Sequence, residues 1–189
     1  IYGNSFRTRN ETEIYKKNTN EYSIRVLFKE SEERSHRISI FSKDKKKTIE
    51  KNLKKIHDRK EFISTIPCIL FCHDDLDFAI GSPERRRFFI DQSLSLYDAS
   101  YIDVLRNFTK LLKSRNLILK EKRTEVLDVI DAQLVPIGLQ IIEKRNKLIE
   151  SFNKTFSSLY ESISGIDSVL IDYSPSWKFS TFDEVLISR

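Results

Sequence analysis

The sequence has 189 residues, of which 32% are charged and 39% apolar, with only four glycines and four prolines. This composition excludes a low-complexity, disordered chain and favours one packed domain or two lobes that share elements. The net charge of +5 and the pI near 9.1 favour a polyanionic partner. The longest apolar runs are four or five residues, as in Ile66 to Cys72 interrupted by Pro67, far shorter than the roughly 20 residues that span a bilayer.

The first ninety residues have the pattern of strands and turns. Alternation of apolar and polar residues predicts a hairpin from Tyr22–Phe28 and Arg37–Phe41. After a basic turn we expect a short strand at 48–51, a short helix at 58–64 and a buried strand at 66–71.

Helical spacing begins at residue 82. Ser82 is the expected N-cap, and Pro83 occupies the first helical position, where its missing N–H has no cost. Apolar residues three and four apart predict a second helix at 100–122 and a third at 124–164, long enough to form a protruding arm packed antiparallel on the second helix.

Three further features complete the predicted elements. Pro136 and Gly138 mark a possible kink in the third helix. Gly165 is expected to end that helix, and Val169–Tyr173 is predicted to return as a strand.

No motif for a catalytic or metal site is complete. None of the four glycines belongs to a phosphate-binding loop, and the acids after strand-like segments, Asp75 and Asp172, lack the surroundings of a Walker B motif. Cys68 and Cys72 fit buried packing better than zinc binding, because no second pair of ligands follows. With only two cysteines there is no disulfide framework, and we expect a reducing, cytoplasmic location.

Three consecutive arginines, Arg85 to Arg87, stand at the start of the first predicted helix, where positive charge opposes the helix dipole. Two interpretations remain open. The arginines form ion pairs with carboxylates such as Asp74, Asp75 and Asp91, or they bind phosphate groups of a nucleotide or DNA.

Four blocks of this sequence, in order along the chain, match the pattern of one protein family. Ser5–Thr8 is similar to a Ser-Phe-Arg that follows a P-loop helix, and Phe71–Asp91 is similar to an acidic loop followed by Gly-Ser-Pro-x-x-Arg-Arg-x-Phe-Leu-Asp. Leu112–Lys120 is similar to Leu-Lys-Gln-Arg-Asn-x-x-Leu-Lys, and Asp131–Arg145 is similar to the next block. With these blocks the chain resembles the RecF family. The matching residues that we expect to be structural are Asp75, Gly81, Ser82, Pro83, Arg86, Arg87, Phe89, Asp91, Arg115 and Asn116.

The resemblance implies an α+β fold, with the β-rich, antiparallel part of an SMC-like ABC ATPase head and a second lobe formed by an antiparallel arm of long helices. It assigns 1–90 to the head, 91–165 to the arm and 166–189 to a strand returning toward the head. It also implies that Arg7 senses nucleotide or touches DNA. The lysines then expected to contact DNA phosphates are Lys45, Lys46, Lys47, Lys54 and Lys55.

For the intact protein the resemblance implies ATP and Mg²⁺ as cofactors, an ATP-dependent homodimer, binding of duplex DNA near single-strand gaps, and recombinase loading with RecO and RecR. The chain starts at Ile1 and has no methionine, so we expect it to be a central piece of such a protein. Because it lacks the Walker A, signature and Walker B motifs, we expect no ATPase activity, no catalytic residue and no bound cofactor in these 189 residues alone.

Two other classes remain open. An SMC-like chromosome-organising protein would share the head and the arm, but its arm would continue in long heptads. A helical interaction module without a nucleic-acid role would show no gel shift with DNA at any salt concentration.

Overall fold

A computed structural model describes residues 8, 10–58, 60–65 and 80–176, and divides the chain into two compact units, Ile1–Cys72 and His73–Arg189. Among its described residues the first unit contains four strands and one α-helix: β1 (Glu21–Lys29), β2 (Ser35–Lys43), β3 (Lys46–Lys51), β4 (Lys54–Lys55) and α1 (Lys60–Thr65). The second contains α2 (Pro83–Tyr97), α3 (Tyr101–Lys120) and α4 (Leu127–Ser164). The predictions for Arg7, Asp75, the buried strand 66–71 and the cysteines lie outside the described residues.

The four strands form one antiparallel sheet in the order β1-β2-β3-β4, so the predicted hairpin and third strand are confirmed. Two-residue turns with positive φ at both positions join β2 to β3 (Asp44, Lys45) and β3 to β4 (Asn52, Leu53). Such turns match the twist of the flanking strands. The short strand β4 was not predicted, because Leu53 gives no turn signal.

Among the described residues, the buried core of the first unit is aliphatic. Ile38 and Ile49 lie on one face of the sheet and pack with Ile56, which follows β4, and with Ile40. This face of the sheet is therefore the packed face, and the other is available to solvent among the described residues.

The start of α2 is as predicted. The Ser82 hydroxyl accepts a hydrogen bond from the backbone N–H of Arg85 at 3.4 Å, and Pro83 occupies the first turn. The cap satisfies one of the free N–H groups at the helix start.

The predicted antiparallel packing of the two long helices is confirmed. Leu94 of α2, Tyr101 of α3, and Ile141 and Leu148 of α4 form one buried cluster. α4 has 38 residues and is about 57 Å long at 1.5 Å per residue. It starts at Leu127 rather than 124, since residues 124–126 form a 3₁₀ turn, and it includes Pro136 without interruption.

The predicted strand at 169–173 is wrong. The backbone of Ile171 bonds instead to one side chain of α4: its N–H donates to Asn153 Oδ1 and its carbonyl accepts from Asn153 Nδ2, both at 2.9 Å. The Asn153 amide therefore takes the place of a neighbouring strand.

Gly165 ends α4 as predicted, with φ of 72°. A Cβ there would meet no described atom within 4 Å, so only the left-handed backbone disfavours other residues.

We expect Gly165→Ala to lower the free energy of unfolding by about 1 kcal/mol, measured by the helical circular-dichroism signal in urea. Gly165→Asn should lose less, because Asn tolerates this conformation; equal stability of the Ala variant and the wild type would contradict the assignment.

Candidate nucleic-acid interface

Positive charge is concentrated in the first unit. Residues 1–72 contain 17 basic and 10 acidic side chains, a net charge of +7, whereas residues 73–189 contain 16 and 18, a net charge of −2. From β2 to β4 the asymmetry is stronger, since residues 35–55 have eight basic and two acidic side chains. A site for a polyanion is therefore expected on the sheet.

Strand register assigns each side chain to one of two faces. Ile38, Ile40 and Ile49 share the packed face, because Ile40 is directly opposite Ile49 in the ladder. The neighbouring positions in each strand lie on the other face. There Ser39 stands between Arg25 of β1 and Glu50 of β3.

We call this second surface the basic sheet face and define it by its cationic residues: Arg25, Lys29, Arg37, Lys43, Lys46 and Lys55. Between the cations lie the hydroxyl side chains of Ser23, Ser39 and Thr48 and the exposed apolar side chains of Leu27 and Phe41. They line a shallow groove of about 730 Å³ together with the two arginines and Glu50. The cations and hydroxyls of this face suit the phosphates and sugars of a nucleic-acid backbone.

Like the exposed Lys29, Lys46 and Lys55, the two arginines are available cations of this face. Both are exposed, and among the described residues neither Arg25 nor Arg37 forms an ion pair. Lys43, by contrast, has Glu21 at 3.3 Å, in a pair with both side chains about half exposed. Water screens such a pair, so it restrains Lys43 only weakly.

The five lysines predicted to contact DNA do not share one surface. Lys46 and Lys55 lie on the basic sheet face, Lys45 lies in the turn between β2 and β3, and Lys54 lies on the opposite side of β4. The fifth, Lys47, is mostly buried and bonds to Glu11 at 2.8 Å. Sequence reasoning missed Arg25 and Arg37, although both occupy polar positions of the alternating strands.

The Lys47 contact belongs to a polar cluster at one end of the packed face. Tyr22, Ser42 and Lys47 lie side by side on three strands. Glu11 accepts hydrogen bonds from Tyr22 and Lys47, while the hydroxyls of Tyr15 and Ser42 are 3.1 Å apart. Burial raises the pKa of Glu11, but the bonds from Lys47 and Tyr22 outweigh it and lower the pKa below its ordinary value. The cluster attaches the segment before β1 to the sheet.

In the second unit, an ion pair connects α2 to α4. Arg145 donates from Nε and Nη2 to the two carboxylate oxygens of Asp91, at 2.8 and 2.7 Å. Tyr101 donates its hydroxyl to the same carboxylate at 2.7 Å, and Arg145 Nη1 donates to Tyr173 at 3.1 Å. Burial first, and then the bond to Asp91, raise the pKa of Tyr101.

Two more ion pairs stabilise the helical unit. Arg115 of α3 bonds to the buried Asp131 of α4 at 2.7 Å, and Lys144 of α4 bonds to Asp98 at 2.7 Å. Hydrogen bonds from Lys144 and then from the Ser100 hydroxyl lower the pKa of Asp98 to about 2. These contacts are architectural, since one joins α3 to α4 and the other joins α4 to the C-terminal end of α2.

The interpretation that Asp91 pairs with Arg85–Arg87 is wrong. The Asp91 carboxylate instead faces α4, where it accepts hydrogen bonds from Arg145 and Tyr101. The three arginines are exposed, and among the described residues none of them forms an ion pair with a carboxylate. Of the other motif residues, Phe89 is half-buried on α2 and Asn116 is exposed on α3.

Metal and membrane sites find no support in the described part of the chain. There, no three or more His, Cys, Asp or Glu side chains are grouped as a metal would require. The described helices include none with the length and apolar character to cross a membrane.

Comparisons with known proteins agree on one family. The DNA replication and repair protein RecF of Treponema pallidum is 47% identical over 99% of this chain and 53% of its own length. That of Clostridium perfringens strain SM101 is 35% identical over 91% of this chain and 48% of its own. The chain thus spans about half the length of the curated relatives it matches.

A solved structure of the recombination mediator protein RecF-ATP in the RecFOR pathway superposes with a TM-score of 0.76 at 26% identity. The match covers 87% of this chain and 46% of that one. A second structure, RecF with ATPrS, gives a TM-score of 0.77 at the same identity. No protein-family model matches the sequence.

Proposed function

Because the chain belongs to the RecF family of DNA replication and repair proteins, we propose that the intact protein binds duplex DNA near single-strand gaps in an ATP-dependent manner. In this proposal residues 1–90 and 166–189 belong to an ATPase head, and residues 91–165 form its helical arm. The protein then assists recombinase loading together with RecO and RecR, as an ATP-dependent homodimer in the cytoplasm.

The observation that carries the DNA-binding proposal is the basic sheet face. It presents Arg25 and Arg37 without competing ion pairs among the described residues, in the unit with a net charge of +7. Their guanidinium groups suit bidentate contacts with phosphate oxygens. The hydroxyls between them add hydrogen-bond donors for the sugar-phosphate backbone without reading sequence.

For ATP and Mg²⁺, unlike DNA, no binding site is assigned among the described residues. Phosphate binding in such heads needs a glycine-rich loop, and Mg²⁺ needs grouped oxygen ligands. The sequence has no such loop, and the described residues have no group of three acidic or metal-binding side chains. These residues do not fit either cofactor, so we assign no nucleotide step to them; Arg7, proposed to sense nucleotide or DNA, lies outside the described part.

Binding to gapped and continuous DNA tests the proposal. We expect a fluorescent duplex with a single-strand gap to bind the protein more tightly than a continuous duplex of equal length, measured by anisotropy at low salt. Addition of ATP and Mg²⁺ to the full-length protein should strengthen binding. No binding to either duplex would favour a helical interaction module instead, and equal binding with no ATP effect would contradict the gap and nucleotide proposals alone.

A further inference from the structure

The helix α3 has an unusual charge composition for its unit. It contains five basic side chains and one acidic side chain, within residues 73–189 whose net charge is −2. Arg115 forms an ion pair with the buried Asp131. The other four cations remain on the outside of the helix.

These four residues form a stripe that we call the α3 stripe: Arg106, Lys110, Lys113 and Lys120. At 100° per residue they fall within an arc of about 80° and extend about 21 Å along the axis. Tyr101, Val104 and Phe108, on the opposite side, pack into the helical core. The core contact therefore fixes the direction in which the stripe faces.

The surroundings of the stripe leave its lysines available. All four cations are exposed, and among the described residues Lys110, Lys113 and Lys120 form no ion pair. Arg106 has Asp103 at 3.4 Å, with both side chains half exposed. Arg106, Lys110 and Lys113 also line a shallow groove of about 480 Å³.

The stripe has an energetic cost in the protein alone. Like charges three and four residues apart repel each other by a few tenths of a kcal/mol per pair, as at Arg106 and Lys110 and at Lys110 and Lys113. A polyanionic partner would reverse the sign of this contribution by supplying counter-charge along the whole stripe.

We propose that the α3 stripe is a second contact for the sugar-phosphate backbone of DNA, on the helical unit and separate from the basic sheet face; this inference rests on the proposed DNA binding. Duplex DNA carries one charge per about 1.7 Å of its axis, so a row of cations about 21 Å long meets several phosphates. An acidic protein is a poorer fit, because protein interfaces depend on aromatic and other anchors in pockets. Between Arg106 and Lys120 the outer side of α3, all of it described, has no aromatic residue, and Leu117 is the one large apolar side chain within the arc of the stripe.

A matched pair of double variants tests this contact. Lys110→Gln with Lys113→Gln removes two charges from the stripe, and Lys147→Gln with Lys154→Gln removes two exposed charges from α4. We expect the stripe variant to bind duplex DNA roughly tenfold more weakly at moderate salt, with a salt slope smaller by about 1.8. The α4 variant should stay within about twofold of the wild type, and both should keep the helical signal.

The outcomes separate this inference from the proposed function. If the stripe variant binds like the α4 variant while substitutions on the basic sheet face still weaken binding, the inference is wrong and the proposed function stands. If it binds DNA normally but loses affinity for an acidic protein of the same pathway, the stripe is a protein contact and the inference is again wrong. If the wild-type protein binds no DNA, both fail.

Discussion

Replacing Arg145 by methionine is expected to lower the free energy of unfolding of the helical unit by about 3 kcal/mol. The side chains of Arg145 and Asp91 are 13% and 17% exposed, so loss of the cation leaves a carboxylate largely buried without its partner. Breaking a buried pair in this way costs about 3–5 kcal/mol, and the remaining solvent contact of both groups favours the lower end. Urea unfolding followed by the helical circular-dichroism signal measures the loss.

Two companion variants show whether the ion pair is the cause. Lys147→Met removes an exposed lysine that pairs with Glu143 one turn away on the same helix and should change stability by less than about 0.5 kcal/mol. Asp91→Asn combined with Arg145→Met removes the unpaired charge and keeps an acceptor for Tyr101, so it should regain part of the loss. An Arg145→Met variant as stable as Lys147→Met would show that the network does not hold α2 to α4.

Reversing both arginines of the basic sheet face, with Arg25→Glu and Arg37→Glu, is expected to weaken binding to duplex DNA roughly 100-fold at moderate salt. Each substitution removes a phosphate contact and adds a charge that repels the backbone. Both side chains lie on the solvent side of the sheet, so the fold should be retained.

The control reverses two exposed cations of the same unit that lie off this face, Lys17 and Arg34. This control changes the net charge by the same amount as the test variant. We expect it to weaken DNA binding less than tenfold, because it reduces only the long-range electrostatic attraction between the protein and DNA. Equal losses in the two variants would mean that total charge, and not the basic sheet face, determines affinity.

Local patterns predicted most of the secondary structure. Alternation identified β1 and β2, and the Ser82 cap and Gly165 marked helix ends, because each signal lies within a few residues of the element it defines. The strand predicted at 169–173 failed because its partner is a side chain, Asn153, which no strand pattern contains.

Site geometry was less predictable, because it depends on distant contacts. The sequence identified Asp91 and Arg145 as motif residues, but their pairing joins positions 54 apart along the chain. In the sequence Lys47 cannot be distinguished from the exposed lysines beside it, but in the structure it forms an ion pair with Glu11. Arg25 and Arg37 became a candidate site only when strand register placed both on one face.

The salt dependence of DNA affinity tests the central claim most directly. Dissociation constants for one duplex would be measured across a range of salt for the wild type and for the neutral double variant Arg25→Gln with Arg37→Gln. We predict linear log–log plots with a wild-type slope steeper by about 1.8, or about 0.9 for each lost phosphate contact. Parallel slopes for the two proteins, or no wild-type binding at the lowest salt, would contradict a DNA-binding role for the basic sheet face.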